Sequence, residues 1–146
     1  MRCFVLFCCS FVLLQCTQPK ESRHGEYLGE PAPNSLQIFA KNFISTELRE
    51  RDAAWMSDGS EFYYTLNAGA FSAIVVVRRE GGVWQQPRLA SFSKAHSNLE
   101  PFITHDGQWL YFASNRPAAP EDSSRDYDIW RVPRRGRDWG EPERLG

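Results

Sequence analysis

Cysteine is missing from most of this 146-residue sequence. All four cysteines lie near the N-terminus, at Cys3, Cys8, Cys9 and Cys16, and residues 17–146 contain none. This distribution excludes a disulfide framework as the support of a domain in the rest of the chain. A domain there depends on a packed hydrophobic core instead.

Long hydrophobic runs and an excess of one charge are also missing. The longest apolar run, residues 3–14, would rise only about 18 Å as a helix, against a bilayer core of about 30 Å. The 17 basic and 18 acidic side chains nearly cancel, leaving a formal net charge of −1. This balance gives no reason to expect a nucleic-acid partner.

The N-terminal segment has the features of an export signal. Arg2 supplies a positive charge, a short apolar run follows, and the sequence turns polar after Cys16. We therefore predict that residues 1–15 are a signal peptide. An ordinary buried helix is the alternative, but the apolar run lacks the alternation of a helical stripe. Residues 16–35 are rich in Pro, Gly and charge, which predicts a tether.

The end of this segment resembles the lipobox of bacterial lipoproteins. The resemblance rests on Leu13-Leu14-Gln15-Cys16, although the family usually has Gly, Ala or Ser where Gln15 stands. It implies cleavage before Cys16 and acylation of its thiol, hence an exported protein of the periplasm or outer membrane, anchored by lipid. Soluble secretion is the alternative.

Two stretches of the chain repeat each other. Residues 52–64 and 100–112 each contain an acidic residue, a short apolar run, an Asp-Gly pair and an aromatic strand. In such a turn the Asp side chain bonds to the backbone ahead of it, and Gly accepts a positive φ. We therefore predict structural turns at Asp58, Gly59, Asp106 and Gly107. The period of about 50 residues is typical of repeat architectures.

The repeat continues into a second half of each unit. Runs of β-branched and aromatic residues at 74–77 and 129–132 are each followed by a Gly-containing turn and a tryptophan. Each unit therefore predicts four antiparallel strands, which is one blade of a β-propeller. The predicted fold is all-β, with a propeller domain at 36–146 and blade units at about 50–97 and 98–146. A further strand is predicted at 36–40.

The units resemble the TolB-like, or WD40-like, β-propeller repeat of bacterial exported proteins. The matching motifs in the second unit are Asp106-Gly107, Ser114-Asn115-Arg116 and Asp128-Ile129-Trp130. The first unit keeps Ser57-Asp58-Gly59 but lacks the Ser-x-Arg step. The resemblance implies an envelope protein similar to the periplasmic component of the Tol-Pal system, which binds partners through its propeller. Closed propellers have four or more blades, so two blades are incomplete or open.

Few side chains indicate chemistry. Asp58 and Asp106 occupy equivalent turns, which explains both without a catalytic carboxylate pair, and we expect Arg116 and Asp128 to form a polar pair within their blade. The loop 121–128 holds four carboxylates but lacks the ligand order of a calcium loop. We expect neither a metal nor another cofactor.

The sequence favours a non-enzymatic binding or scaffold module whose partner is an envelope protein or glycan. Two blades leave a sheet face and a strand edge unpaired, so we expect either a truncated copy of a longer propeller, which we favour, or self-association through the open blade edges. The alternative is a fragment of an exported hydrolase, active on carbohydrate or peptide, whose catalytic residues lie outside this chain. The sequence has no Gly-x-Ser-x-Gly motif to support a serine hydrolase.

Overall fold

The computed structural model describes residues 22–25, 27–30, 34–123 and 126–145. The predicted signal peptide and Cys16 lie outside these residues. Within them the secondary structure is almost entirely β, with one short 3₁₀ segment at Tyr27–Gly29. A helix with the length and apolar character needed to cross a bilayer is not found in this part of the chain.

The described residues form two antiparallel sheets, which confirms the predicted fold class. The first sheet, blade 1, has the order β1-β5-β4-β3-β2, with β6 also pairing with β4. Its strands are β1 (Arg23–His24), β2 (Arg49–Trp55), β3 (Glu61–Ala68), β4 (Phe71–Glu80), β5 (Val83–Trp84) and β6 (Arg88–Leu89).

The second sheet, blade 2, repeats this plan with the order β10-β9-β8-β7 and with β11 beside β9. Its strands are β7 (Asn98–Ile103), β8 (Trp109–Ser114), β9 (Asp128–Arg135), β10 (Asp138–Trp139) and β11 (Glu143–Arg144). The sheets contain six and five strands rather than the predicted four. The four predicted strands of each unit are β2–β5 and β7–β10. The surplus strands are β1, which pairs with β5, and β6 and β11, which pair with β4 and β9.

The acidic residue that heads each repeat lies at a β-bulge. Asp52 and Glu100 both have φ of 57°, and the strand register shifts around each of them. A bulge places an extra residue in one strand and increases the local twist. The two edge strands β2 and β7 therefore share one irregularity, which reflects their common sequence origin.

Two hydrophobic cores lie on opposite faces of blade 1. One face packs against blade 2 and forms the seam core, whose buried side chains include Tyr63, Ile74, Ile103, Leu110, Phe112, Trp130, Val132 and Trp139. The other face packs against the segment that precedes β2, and its buried side chains are Leu28, Ala40, Phe43, Ile44, Phe62, Tyr64, Val75, Val77 and Trp84. The leading segment thus covers one side of blade 1, and blade 2 covers the other.

The tether and first-strand predictions are wrong for the residues that the structure describes. Arg23 and His24 pair with β5, Leu28 is fully buried, and the Trp84 indole donates a 2.8 Å hydrogen bond to the Gly25 carbonyl oxygen. The predicted strand at 36–40 is absent from the described chain, which turns there instead. Single apolar side chains anchor this segment, so it carries no periodic pattern from which packing could be predicted.

We expect truncation of Phe43 to destabilise the protein. The side chain is 4% exposed in the core under the leading segment, so Phe43→Ala should lower the free energy of unfolding by about 3 kcal/mol through lost burial and a residual cavity. Chemical denaturation measures this loss. The control Ile38→Ala, at a side chain 65% exposed, should change stability little. Equal denaturation midpoints for the two variants would show that the leading segment is not packed on blade 1.

Candidate functional site

A buried ion pair crosses the seam between the blades. Glu61 lies at the start of β3 and is 4% exposed. Arg134 of β9 donates two hydrogen bonds to its carboxylate, at 2.8 and 2.9 Å. The Tyr63 hydroxyl also donates to this carboxylate and accepts a 2.9 Å hydrogen bond from the Trp139 indole. Two residues of blade 1 and two of blade 2 thus form one buried polar network, the seam network.

The pKa values of this network favour fixed charges. Burial raises the pKa of Glu61, but hydrogen bonds from Arg134 and Tyr63 outweigh this effect and leave it lowered. Burial and the neighbouring Glu61 charge raise the pKa of Tyr63. The hydrogen bonds to Glu61 raise that of Arg134. Each group therefore keeps its ordinary charge at neutral pH, and the network is suited to holding the blades rather than to transferring protons.

The feature of the sequence that indicates this network is the alternation of side chains between the two faces of β3. Side chains two residues apart on a strand point to the same face, so Glu61 shares the buried face of Tyr63. A glutamate in register with a buried aromatic requires a cationic partner. The partner itself was not predictable, because Arg134 is one of several arginines in its segment and lies far from Glu61 in sequence.

The Asp-Gly residues lie in matching turns. The Asp58 carboxylate accepts hydrogen bonds from the Ser60 backbone N–H at 2.9 Å and from its hydroxyl at 2.6 Å. Asp106 accepts corresponding bonds from the Gln108 N–H at 3.0 Å and from the Thr104 hydroxyl at 2.5 Å. These side-chain hydroxyl bonds, and then the backbone bonds, lower the pKa of both aspartates. Gly59 and Gly107 have φ of 66° and 67°.

Arg116 and Asp128 do not form the expected pair. Arg116 donates to the Asn98 side chain at 3.0 Å and to the Phe92 carbonyl oxygen at 3.2 Å. Asp128 accepts two hydrogen bonds from Arg144 of β11, at 3.0 and 3.1 Å. The Ser-x-Arg step thus holds the linker between the blades, whereas Asp128 fixes the outermost strand. Burial lowers the pKa of Arg116.

The bulge residues of the two edge strands share one cation. Arg51 lies 2.8 Å from the Asp52 carboxylate and 3.1 Å from that of Glu100. The Glu100 backbone N–H donates to the Thr65 hydroxyl at 3.0 Å. These contacts align the inner edges of the blades. Over the described ranges, no group of three His, Cys, Asp or Glu side chains is arranged to hold a metal ion.

One face of blade 2, the open face, is not covered by any described part of the chain. It carries Phe102, Trp109, Tyr111, Ile129 and Arg131, of which Phe102 is 63% and Ile129 51% exposed. The Arg131 guanidinium lies 4.1 Å from the centre of the Trp109 ring and pairs with Glu143 of β11 at 3.0 Å.

The open face has a covered counterpart. Strand register places Tyr111 and Arg131 of blade 2 where blade 1 has Tyr63 and Val76. Those blade 1 residues are buried in the seam against blade 2. The same side of the repeated unit is therefore occupied in one copy and exposed in the other.

A second surface feature is a cleft at the outer end of the seam. The seam cleft has a volume of about 240 Å³. Its lining is mostly polar and charged, and comprises Val76, Arg78, Glu80, Gln85, Gln86, Arg88, Leu89, Ser91, Lys94 and Asp138. The cleft and the open face are separate surfaces that share no lining residue. No protein-family model matches the sequence.

We expect Glu61→Gln to weaken the protein in a pH-dependent way. Loss of the buried charge leaves Arg134 without its anion, which should cost about 3 kcal/mol of unfolding free energy at neutral pH. Because the folded-state pKa of Glu61 is lowered, its contribution is present at neutral pH and is lost as pH falls below the ordinary glutamate value of about 4.3. Denaturation midpoints from pH 7 to pH 3 measure this.

The matched control is Glu80→Gln, which removes an exposed pair with Arg137 and should cost less than about 1 kcal/mol. The gap between wild type and Glu61→Gln should narrow in acid. A constant gap across this range would contradict the assigned role of the Glu61 charge.

Proposed function

We propose that this protein is a non-enzymatic binding module that holds a protein partner against the open face of blade 2. The proposal extends the resemblance to TolB-like propeller proteins, which bind partners at the central-channel face or along exposed edges. One observation carries it: the repeated unit exposes on blade 2 the same side that blade 1 buries. Exposed aromatic and aliphatic groups clustered on one sheet face are typical of interaction surfaces.

The occupant that fits this face is a β-sheet packed as one blade packs on another. The protein contains an example of such packing, because the face of blade 2 that bears Leu110, Phe112 and Trp130 lies against Tyr63 and Ile74 of blade 1. A partner sheet with a comparable aromatic and aliphatic face would bury Phe102, Tyr111 and Ile129 in the same manner.

The charge on the open face restricts this partner further. Trp109 stands on blade 2 where blade 1 has Glu61, and Arg131 stands where blade 1 has Val76. A cation at the position that Arg134 holds in the seam would therefore meet Trp109 and Arg131 instead of Glu61, and the nearby Glu143 carboxylate is already paired with Arg131. The partner sheet should carry a neutral or acidic side chain at that position.

The setting we propose is the bacterial cell envelope, with the module held at a membrane by a lipid on Cys16. The support for this comes from the sequence of the first 16 residues, which resembles a lipoprotein signal. A tethered module of this kind would act as a scaffold, since a lipid anchor keeps the open face close to partners at the membrane surface.

A chain with an appended blade tests the open face. The test protein is the chain from residue 16 onward with Cys16→Ser, followed after Leu145 by a second copy of residues 91–145. The second copy carries Arg134→Gln, so that no cation of the added blade meets Arg131 on the open face. A single cysteine at Ile129 of the original blade then reports burial, because residues 17–146 have none of their own. We expect its labelling by a thiol reagent to be at least tenfold slower than in the chain without the added blade.

The matched control is Leu48→Cys, at a side chain with the same 51% exposure as Ile129 but away from the open face. Its labelling rate should be equal in the two chains. Equal rates at Ile129 as well would overturn the proposal. If the chain without the added blade is a dimer by light scattering and Ile129→Lys makes it a monomer, the occupant is a second copy, which contradicts the partner we propose.

We expect Cys16→Ser to move the protein from the membrane fraction to the soluble fraction. The reason is that the thiol proposed to receive the lipid is lost, and with it the burial of acyl methylenes at about 0.8 kcal/mol each. Cell fractionation and immunoblotting measure the distribution. Cys9→Ser, within the predicted signal peptide, is the control and should leave it unchanged. A membrane-bound Cys16→Ser protein would contradict the lipid anchor.

A further inference from the structure

The seam cleft contains two cations without partners. The side chains of Arg88 on β6 and Lys94 in the linker line it, and neither side chain makes a hydrogen bond or ion pair with any described residue. The acidic side chains of the same cleft are already engaged. Glu80 pairs with Arg137 at 2.8 Å, and Asp138 accepts a 2.7 Å hydrogen bond from the Ser91 hydroxyl. The cleft therefore presents positive charge that its own carboxylates leave unbalanced.

The rest of the lining is suited to hydroxyl groups and to one small apolar surface. Gln85 and Ser91 are half-buried. The Gln85 amide nitrogen donates to the Val83 carbonyl oxygen and the Ser91 hydroxyl donates to Asp138, so their oxygen atoms remain as acceptors for hydroxyl groups. Leu89 and Val76 are the apolar residues of the lining, and Leu89 is the exposed one of the two. Amide, hydroxyl and aliphatic groups beside a pair of cations complement a ring that carries several hydroxyls, a C–H face and one carboxylate.

The size of the cleft restricts the ligand to a single small unit. Its volume of about 240 Å³ is below the range of about 300–1,000 Å³ typical of sites for drug-sized molecules. We infer that the seam cleft binds one carboxylated sugar residue of the hexuronic acid type. Arg88 and Lys94 contact the carboxylate, Gln85 and Ser91 contact hydroxyls, and Leu89 contacts the C–H face.

This site is independent of the proposed protein partner, because the cleft and the open face are different surfaces. A bare anion such as phosphate would use only the two cations and leave the remaining groups unengaged. The charge-assisted bonds to the carboxylate supply attraction, whereas the polar and aliphatic groups distinguish a sugar acid from a simple anion.

Titration of the Cys16→Ser mature chain with D-glucuronate, monitored by backbone amide NMR, tests the inference. We expect saturable shifts at residues lining the cleft, and binding at least tenfold weaker for D-glucose, acetate and inorganic phosphate. Arg88→Gln and Lys94→Gln should each weaken glucuronate binding about tenfold. The control Arg49→Gln, at an exposed arginine outside the cleft, should leave binding unchanged.

Two outcomes would overturn the inference. Phosphate or acetate binding as tight as glucuronate would reveal an unselective anion patch, and shifts located away from the cleft would place the ligand elsewhere. Arg88 and Lys94 are exposed, so their variants should fold, and unchanged amide spectra outside the cleft verify this. Failure here leaves the open-face labelling result unaffected, so the two proposals are separable.

Discussion

The buried pair between Glu61 and Arg134 is the constraint on which the arrangement of the two blades depends. Apolar faces alone pack without strong preference for one register, since the hydrophobic effect is non-directional. A buried carboxylate that is bound by a guanidinium through two hydrogen bonds tolerates little displacement, because any shift leaves a charge unpaired in the interior. Tyr63 and Trp139 extend this requirement to the aromatic core around the pair. We regard the seam network as the feature that selects one way of stacking the blades, while the surrounding apolar side chains supply most of the driving force.

The open face of blade 2 differs from the matching buried side of blade 1 because the two copies of the repeat carry different residues at the positions that matter for stacking. Blade 1 carries Glu61 and Val76 on its seam side, whereas blade 2 carries Trp109 and Arg131 at the corresponding positions of its open face. Arg131 stacks on Trp109 and donates a hydrogen bond to Glu143, so the charged group of the open face already has partners within blade 2. An exposed surface of this kind avoids a large continuous apolar patch yet keeps Phe102 and Ile129 available for contact. At the opposite end, the leading segment closes blade 1 with side chains such as Leu28 and Phe43 rather than with a sheet.

Sequence reasoning predicted the parts of this fold that follow from periodicity and turn chemistry. The period of the repeat, the aromatic strands and the Asp-Gly turns are local signals, and the two sheets appear where these signals lie. The predicted tether at 16–35 fails where residues 22–30 are described, because Leu28 is an isolated apolar anchor in a polar background. The bulges at Asp52 and Glu100 were not predicted, since a positive φ in an acidic residue depends on the register of a neighbouring strand. Arg116 and Asp128 were paired on motif proximity alone, whereas their observed partners, Asn98 and Arg144, become neighbours only when the sheet has formed.

The seam network and the seam cleft are physically connected through Arg78. Its guanidinium lies 3.3 Å from the Glu61 carboxylate on one side and 3.6 Å from that of Asp138 on the other. Arg78 is therefore both a neighbour of the buried pair and part of the cleft wall, and Asp138 belongs to the hairpin that carries Trp139. The cleft is lined by residues of blade 1 and of the linker, and by Asp138 of blade 2. A ligand that binds only when both blades are in place would stabilise their association by mass action. The contacts of Arg78 with Glu61 and Asp138 therefore belong both to the seam and to the cleft wall, so a ligand that occupied the proposed site would also stabilise the seam.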